Sequence, residues 1–382
     1  MSNTSFPIIK HNQVTLSQLK SQQDTASIWK KKQQTLKRFK LNFPDLSESF
    51  APDWNELPKV LQNLQEFNDN RGGYSPHTLK MLALALRKWD HYCKSEQVYS
   101  FPIAPNIILI WLQGLKLSGL KINTLKQYRA QLSLFHTVMA VEDVTKQPSI
   151  KNFFHSLAKD EMELTGSQVI ELQAKPFRKG HLEQLMDRWG NHTQPLPYRD
   201  LTVLTVAYGT LLREGEIGNI RKKHVNILDN GDINLERVTS KTSISPEPKR
   251  LTGRFAAILA RYLVTYCTAL TEDDFIFCWL TTQGKRPVDY RQTPMSGMTI
   301  DRIYQRAHKT LNIKSDSVKI KSAHRLLWSG HSSRVGALQD GYAAGFNLTQ
   351  LIQLGDWKSN TMVLRYLRGL SNDNSPNLLL QK

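Results

Sequence analysis

Two blocks of helical patterning, separated by a stretch where the pattern dies away, limit the folds open to this chain. Between Met162 and Ala174 the apolar residues lose their periodicity, and Ala174-Lys175-Pro176-Phe177 reads as an extended crossing. On either side, apolar residues recur at spacings of three and four, as amphipathic helices require. A chain of 382 residues is long enough for two separate cores. The expected organisation is a basic, mobile leader over 1–50, a helical bundle over 51–162, a linker over 163–178, a second domain over 179–370 and a short tail over 371–382. The fold class is mainly α, with the second domain mixed α+β, mostly helical and carrying a small antiparallel sheet.

In the first block, Leu57, Val60, Leu61 and Leu64 share one helical face, and Arg71-Gly72-Gly73 ends it. Ser75 can cap the next helix, with Pro76 at its first position, where a missing N–H costs nothing. That helix runs to about Ser95, and others are expected over Ile107 to Leu117, Leu125 to Val138, with Lys126, Tyr128 and Arg129 on or near its polar side, and Ser149 to Glu161. In the second block, helices are expected at Lys179 to Trp189, Tyr198 to Thr210, Leu251 to Ala269 and Ile300 to Leu311. A hairpin, His224 to Leu228 and Ile233 to Val238, turns at Asp229-Asn230-Gly231-Asp232, and Phe275 to Cys278 is a short strand-like run. There is no internal repeat.

Charge narrows the partner. The chain has 51 Lys+Arg against 33 Asp+Glu, a net +18, which points to a polyanion, and DNA fits best because the basic groups are interleaved with helical patterns. No apolar run approaches the length of a membrane span, so no membrane partner is expected. Met1 to Lys10 does not read as a secretory signal, and the expected location is the cytoplasm. Cys93, Cys267 and Cys278 lack metal-ligand spacing and read as core packing in a reducing compartment. No metal site and no cofactor are expected.

The chemistry-bearing residues concentrate late in the chain. His331-Ser332-Ser333-Arg334 precedes Trp357 and Tyr366, and upstream lie Arg213, in Leu211-Leu212-Arg213-Glu214-Gly215-Glu216, and Lys241, in Thr239-Ser240-Lys241-Thr242-Ser243. Such a set suits cleavage of a DNA phosphodiester. Tyr366 can attack as a phenolate and store the bond energy in a phosphotyrosyl link. Arg213 and Arg334 suit bidentate bonds to phosphate oxygens. His331 and Trp357 add donors, although indole cannot act as acid or base. Lys241 can protonate the departing 5′ oxygen. Glu216 can orient Arg213 or His331. The interval of three between His331 and Arg334 is expected to put both on one helical face.

This constellation resembles the active site of the tyrosine recombinase (phage integrase) family, and Ser329-Gly330-His331-Ser332-Ser333-Arg334-Val335-Gly336-Ala337, Gly355-Asp356-Trp357 and Tyr366 are similar to its Cre-like branch. The resemblance runs over roughly residues 70 to 370. Trp357 stands where most of the family has a second histidine, a departure which that branch shares, while Glu214-Gly215 differs from it. The resemblance implies an enzyme shaped as a C-shaped clamp on double-stranded DNA with inverted-repeat sites. It also implies a homotetramer on two sites, monomeric or weakly associating when free, that exchanges strands through a Holliday junction without metal or ATP. By the same resemblance, Thr78, Lys80 and Met81 on the second helix and Thr124 and Gln127 on the fourth face the major groove, and Leu378-Leu379-Leu380 docks on a neighbouring protomer. Plasmid or phage dimer resolution, excision or integration is the expected setting. The alternatives are an integrase that depends on accessory proteins, a relaxing topoisomerase and a sequence-specific DNA-binding protein that does not cut.

Overall fold

The computed structural model describes residues 46, 48–165, 173–192, 194–236, 238, 248–278, 280, 292–313, 328–367 and 370. The chain divides into two compact units, Met1–Ile170 and Glu171–Lys382, a division that falls inside the 163–178 segment. Most of the leader, Lys241 and the tail with Leu378 to Leu380 lie outside the described residues.

The first unit contains helices α1 (Leu57–Asn70), α2 (Pro76–Ser95), α3 (Pro105–Leu117), α4 (Ile122–Met139) and α5 (Pro148–Thr165). Ser75 caps α2, its Oγ accepting the Thr78 N–H at 3.1 Å, with Pro76 at the first position. A short 3-10 turn, Val144–Lys146, is capped by Asp143, which accepts from the Thr145 hydroxyl at 2.6 Å. The core is aromatic. Trp89, Phe101 and Phe135 are shut from solvent together with Leu82, Leu86, Ile108 and Leu112, and each such side chain contributes roughly 1.5–3 kcal/mol. Trp89 spends its indole N–H on the Ser100 carbonyl at 2.9 Å, so no buried donor is stranded. Two expectations are corrected. Tyr128 is not on the polar side of its helix but buried, 5.7 Å from the Trp111 ring. And α5 runs on to Thr165, past Glu161, through Met162-Glu163-Leu164, which are all good helix formers.

The second unit contains α6 (Lys179–Trp189), α7 (Pro195–Thr210), α8 (Glu214–Gly218), α9 (Gly253–Tyr266), α10 (Gly297–Thr310), α11 (Ser332–Ala343), α12 (Leu348–Leu354) and α13 (Asn360–Leu367). Strands β1 (Val225–Ile227), β2 (Ile233–Leu235) and β3 (Lys249–Leu251) form an antiparallel sheet in that order, with Val225 opposite Leu235 and Ile233 opposite Leu251. The hairpin turns at Gly231, whose φ of 82° suits glycine. β3 corrects the expectation of a helix from Leu251, which instead pairs with Ile233 before α9 begins at Gly253. Phe275 to Cys278 is buried; Phe275 bridges Arg221, and the Ile276 N–H bonds to the Ile220 carbonyl at 3.0 Å.

Helix α7 is the axle of this unit, apolar on nearly every side and packed against α6, α9, α10, α11 and β3. Its buried polar groups are satisfied locally. Thr202, Thr205 and Thr210 donate their hydroxyls to carbonyls one turn back, and Asp200 takes Arg199 at 2.6 Å and Arg306 at 2.7 Å. Among the described residues no helix is long and apolar enough to cross a membrane.

Candidate active site

Helix α7 stops at Leu211, a buried leucine held in the left-handed region at φ 54°. That conformation costs roughly 1–2 kcal/mol for a residue with a side chain, offset by the leucine's burial, and it reverses the chain so that Arg213 starts α8. There the Glu216 carboxylate reaches back to cap the start of the helix at Arg213. Glu216 accepts the Arg213 backbone N–H at 2.7 Å and its guanidinium at 3.0 Å. The carboxylate is buried while the Arg213 side chain is about a third exposed (8% and 35%), so the buried end fixes the guanidinium and leaves its outer edge open. Of the two roles foreseen for Glu216, the bonds it makes are those that orient Arg213.

Arg334 lies in the first turn of α11 and is almost wholly buried. Its Nη1 donates to the Leu211 carbonyl and its Nη2 to the Gly355 carbonyl at 3.0 Å, while its guanidinium carbon sits 4.8 Å from the Trp357 ring centre. The Nε is buried with no hydrogen-bond partner among the described residues. A stranded charged donor is costly unless a ligand meets it. His331 occupies the cap position of α11 with helical dihedrals, φ −90° and ψ −12°, and its carbonyl accepts the Val335 N–H at 3.3 Å, so it continues the helix one residue ahead of Ser332 and three before Arg334.

Tyr366 is buried near the end of α13, and its hydroxyl meets His331 Nε2. Its ring lies edge-on to His331 at 5.2 Å and to Trp357 at 5.6 Å. The electrostatics separate the two groups that share this bond. Crowding by protein, then Arg334 and Arg213, push the His331 pKa down to about 4. Burial raises the Tyr366 pKa, and the nearby arginines only partly offset it. At neutral pH the pair is therefore a neutral imidazole against a neutral phenol. Two guanidiniums and a proton acceptor surround a potential oxygen nucleophile, which is what in-line attack on a phosphodiester needs. Burial and Arg213 also lower the Arg334 pKa, yet a guanidinium at neutral pH keeps its charge.

Of the seven residues expected at the site, Arg213, Glu216, His331, Arg334, Trp357 and Tyr366 come together, and Lys241 lies outside the described residues. In the first unit, Lys80 is exposed and Thr78, Met81, Thr124 and Gln127 are half-buried, on α2 and α4, which pack together. The Thr78 hydroxyl is already engaged with Ser75 Oγ at 2.8 Å. Three features were missed. Gln173 and Gln339 both donate to the Tyr366 backbone carbonyl, at 3.1 and 2.9 Å. Lys249 on β3 pairs with Asp356 at 2.6 Å, and Asp356 stands between Gly355, whose carbonyl accepts from Arg334, and Trp357, whose ring packs on it. The Glu214 carboxylate rests where a side chain at Gly330 would sit, next to His331. None has a sequence signature beyond ordinary polar residues. Among the described residues no group of three or more His, Cys, Asp or Glu is arranged to hold a metal ion.

Comparison with known proteins agrees with this geometry. Residues 175–372 match the model of the phage integrase family. The recombinase Cre of Escherichia phage P1 is 27% identical over 318 residues, covering 82% of this chain and 90% of that protein. At the level of fold, the chain is similar to the Tn1549 transposon integrase in complex with circular intermediate DNA (TM-score 0.53, 15% identity, 84% of this chain and 98% of the other). It is also similar to XerH bound to a palindromic difH substrate in a post-cleavage complex (TM-score 0.53, 12% identity, 91% and 93%).

Proposed function

Since this chain belongs to the phage integrase family, the tyrosine recombinases, which break and rejoin DNA, we propose that Tyr366 is its nucleophile and that Arg213, His331, Arg334 and Trp357 hold the scissile phosphate. The observation that carries this reading is the contact of the Tyr366 hydroxyl with a neutral His331, beside an Arg334 whose buried Nε has no partner among the described residues.

In the reaction, the Tyr366 oxygen bonds to phosphorus as its proton passes to His331 Nε2. Arg213 and Arg334 take up the charge that grows on the non-bridging oxygens; one preorganised donor of this kind is typically worth about 100- to 1,000-fold in rate. The bond from phosphorus to the 5′ oxygen breaks, and Lys241 gives that oxygen a proton. A 3′-phosphotyrosyl link remains. Because it conserves the energy of the phosphodiester, a 5′ hydroxyl of a second strand can reverse the step without ATP, and the charge is handled by side chains without a metal. Glu216 fixes Arg213.

The wider setting is proposed on the same footing. Two protomers bind each inverted-repeat site, with α2 and α4 of the first unit (Thr78, Lys80, Met81, Thr124, Gln127) reading the major groove. Four protomers join two sites, strands pass through a Holliday junction, and the process resolves, excises or integrates plasmid or phage DNA in the cytoplasm. The net charge of +18 supports a duplex-binding role, and the likeness to the recombinase Cre supports strand exchange. The test is to incubate purified protein, in EDTA and without ATP, with DNA flanking its own gene and to sequence the products. Recombinant junctions at a short inverted repeat support the reading. Specific binding without junctions favours an accessory-dependent integrase or a protein that binds without cutting.

A further inference from the structure

The segment that enters the second unit is stitched to the helices that carry the active site. Trp328 donates its indole N–H to the Pro176 carbonyl at 3.2 Å, and the Phe177 N–H bonds to the Ser332 carbonyl at 3.0 Å, one residue from His331. Arg178 and the Lys179 N–H both reach Asp340 on α11, at 2.9 and 2.8 Å. The approach is so close that a Cβ on Gly336 of α11 would land on the Phe177 carbonyl. At the start of this run, Gln173 Nε2 donates to the Tyr366 carbonyl at 3.1 Å, and Gln339 Nε2 donates to the same oxygen at 2.9 Å.

That oxygen lies in the last turn of α13 (Asn360–Leu367), where helix carbonyls have no partner of their own. A backbone carbonyl only accepts, so each glutamine must present its amide nitrogen. Two amides on one carbonyl restrain the residue whose hydroxyl faces His331, and one of them comes from the connecting segment, three residues past the division between the units. We propose that Gln173, with Gln339, is a positioning residue for the nucleophile: it sets where the Tyr366 hydroxyl stands, and links that placement to the chain leading in from the first unit. This rests on the cleavage reading above.

The test uses the full-length protein on a nicked duplex bearing its target site, so that cleavage traps the covalent complex. Gln173→Glu keeps the shape but turns the donor into an acceptor, and Gln173→Met removes polarity at similar volume; Gln339→Met repeats the test from the other side. At saturating DNA the single-turnover cleavage rate is expected to fall about tenfold in each Gln173 variant and in Gln339→Met, the loss of one directed hydrogen bond. DNA affinity stays at the wild-type value, and each variant remains folded at the assay temperature. Cleavage at the wild-type rate, or a loss that follows the fall in folded protein or in DNA occupancy, overturns the proposal and leaves Gln173 as a helix cap. If the wild type itself forms no covalent complex, the functional reading fails instead.

Discussion

Replacing Arg334 with lysine separates what the guanidinium does for the fold from what it does for the reaction. The side chain holds two carbonyls, Leu211 and Gly355, and lies over the Trp357 ring at 4.8 Å. A lysine can serve one of these carbonyls and leaves the other buried without a donor. Hydrogen bonds from charged groups are worth roughly 1.5–3 kcal/mol each, so Arg334→Lys should cost about 2 kcal/mol of stability. In a unit of this size that lowers the melting temperature by roughly 4–8 °C. The reaction loses more, because the Nε, buried and without a partner among the described residues, has no counterpart in lysine. Cleavage of a nicked target duplex at 25 °C, where the variant stays folded, should therefore slow by about 100- to 1,000-fold. The assay is single-turnover formation of the covalent complex at saturating DNA, with the folded fraction measured on the same sample. A rate within threefold of wild type would refute the reasoning, as would a deficit that disappears once the rate is divided by the folded fraction.

Other consequences follow from the same contacts. His331 is neutral down to about pH 4, so cleavage at saturating DNA should be level between about pH 6 and 8 and fall only in more acid solution, as protonation takes the lone pair facing Tyr366; a decline centred on the ordinary histidine value of 6.5 contradicts this. In the first unit, burial alone would raise the Asp143 pKa, but bonds from Ser133, Thr145 and Lys146 hold it at about 2 against 3.8 unfolded. Its contribution is thus present above 3.8 and lost as pH falls through 2, and Asp143→Asn should lower stability at neutral pH by about 2 kcal/mol, read by urea denaturation. Gly336→Ala should cost roughly 1–3 kcal/mol by pushing on the Phe177 carbonyl, and an unchanged melting temperature argues against the close approach. Lys249→Met and Asp356→Gly should slow cleavage equally and no further when combined, because both break one ion pair; additive losses would show that the pair is not the cause.

Much of the candidate site is legible in the sequence, because its members are chemically distinctive: a tyrosine, a tryptophan, a histidine and two arginines at fixed intervals. Helix starts are legible where chemistry marks them, as at Ser75-Pro76, whose cap forms as read. What escaped notice depends on the backbone. β3 is three residues long, too short to show alternation. The Ser329 N–H bonds to the Ser332 hydroxyl at 2.9 Å just ahead of α11, a turn that the spacing of His331 and Arg334 does not reveal. Gln173 and Gln339 act on a main-chain oxygen, and a carbonyl in a helix's last turn leaves no mark in the residues that will satisfy it.

The most direct test of the account is the identity of the residue joined to DNA. The protein is allowed to cleave a nicked target duplex, the covalent complex is digested with nuclease and protease, and the nucleotide-bearing peptide is sequenced by tandem mass spectrometry. The account predicts one modified residue, Tyr366, carrying a 3′-linked nucleotide, and no complex from Tyr366→Phe. A nucleotide on any other side chain, or a complex that persists in Tyr366→Phe, would contradict it.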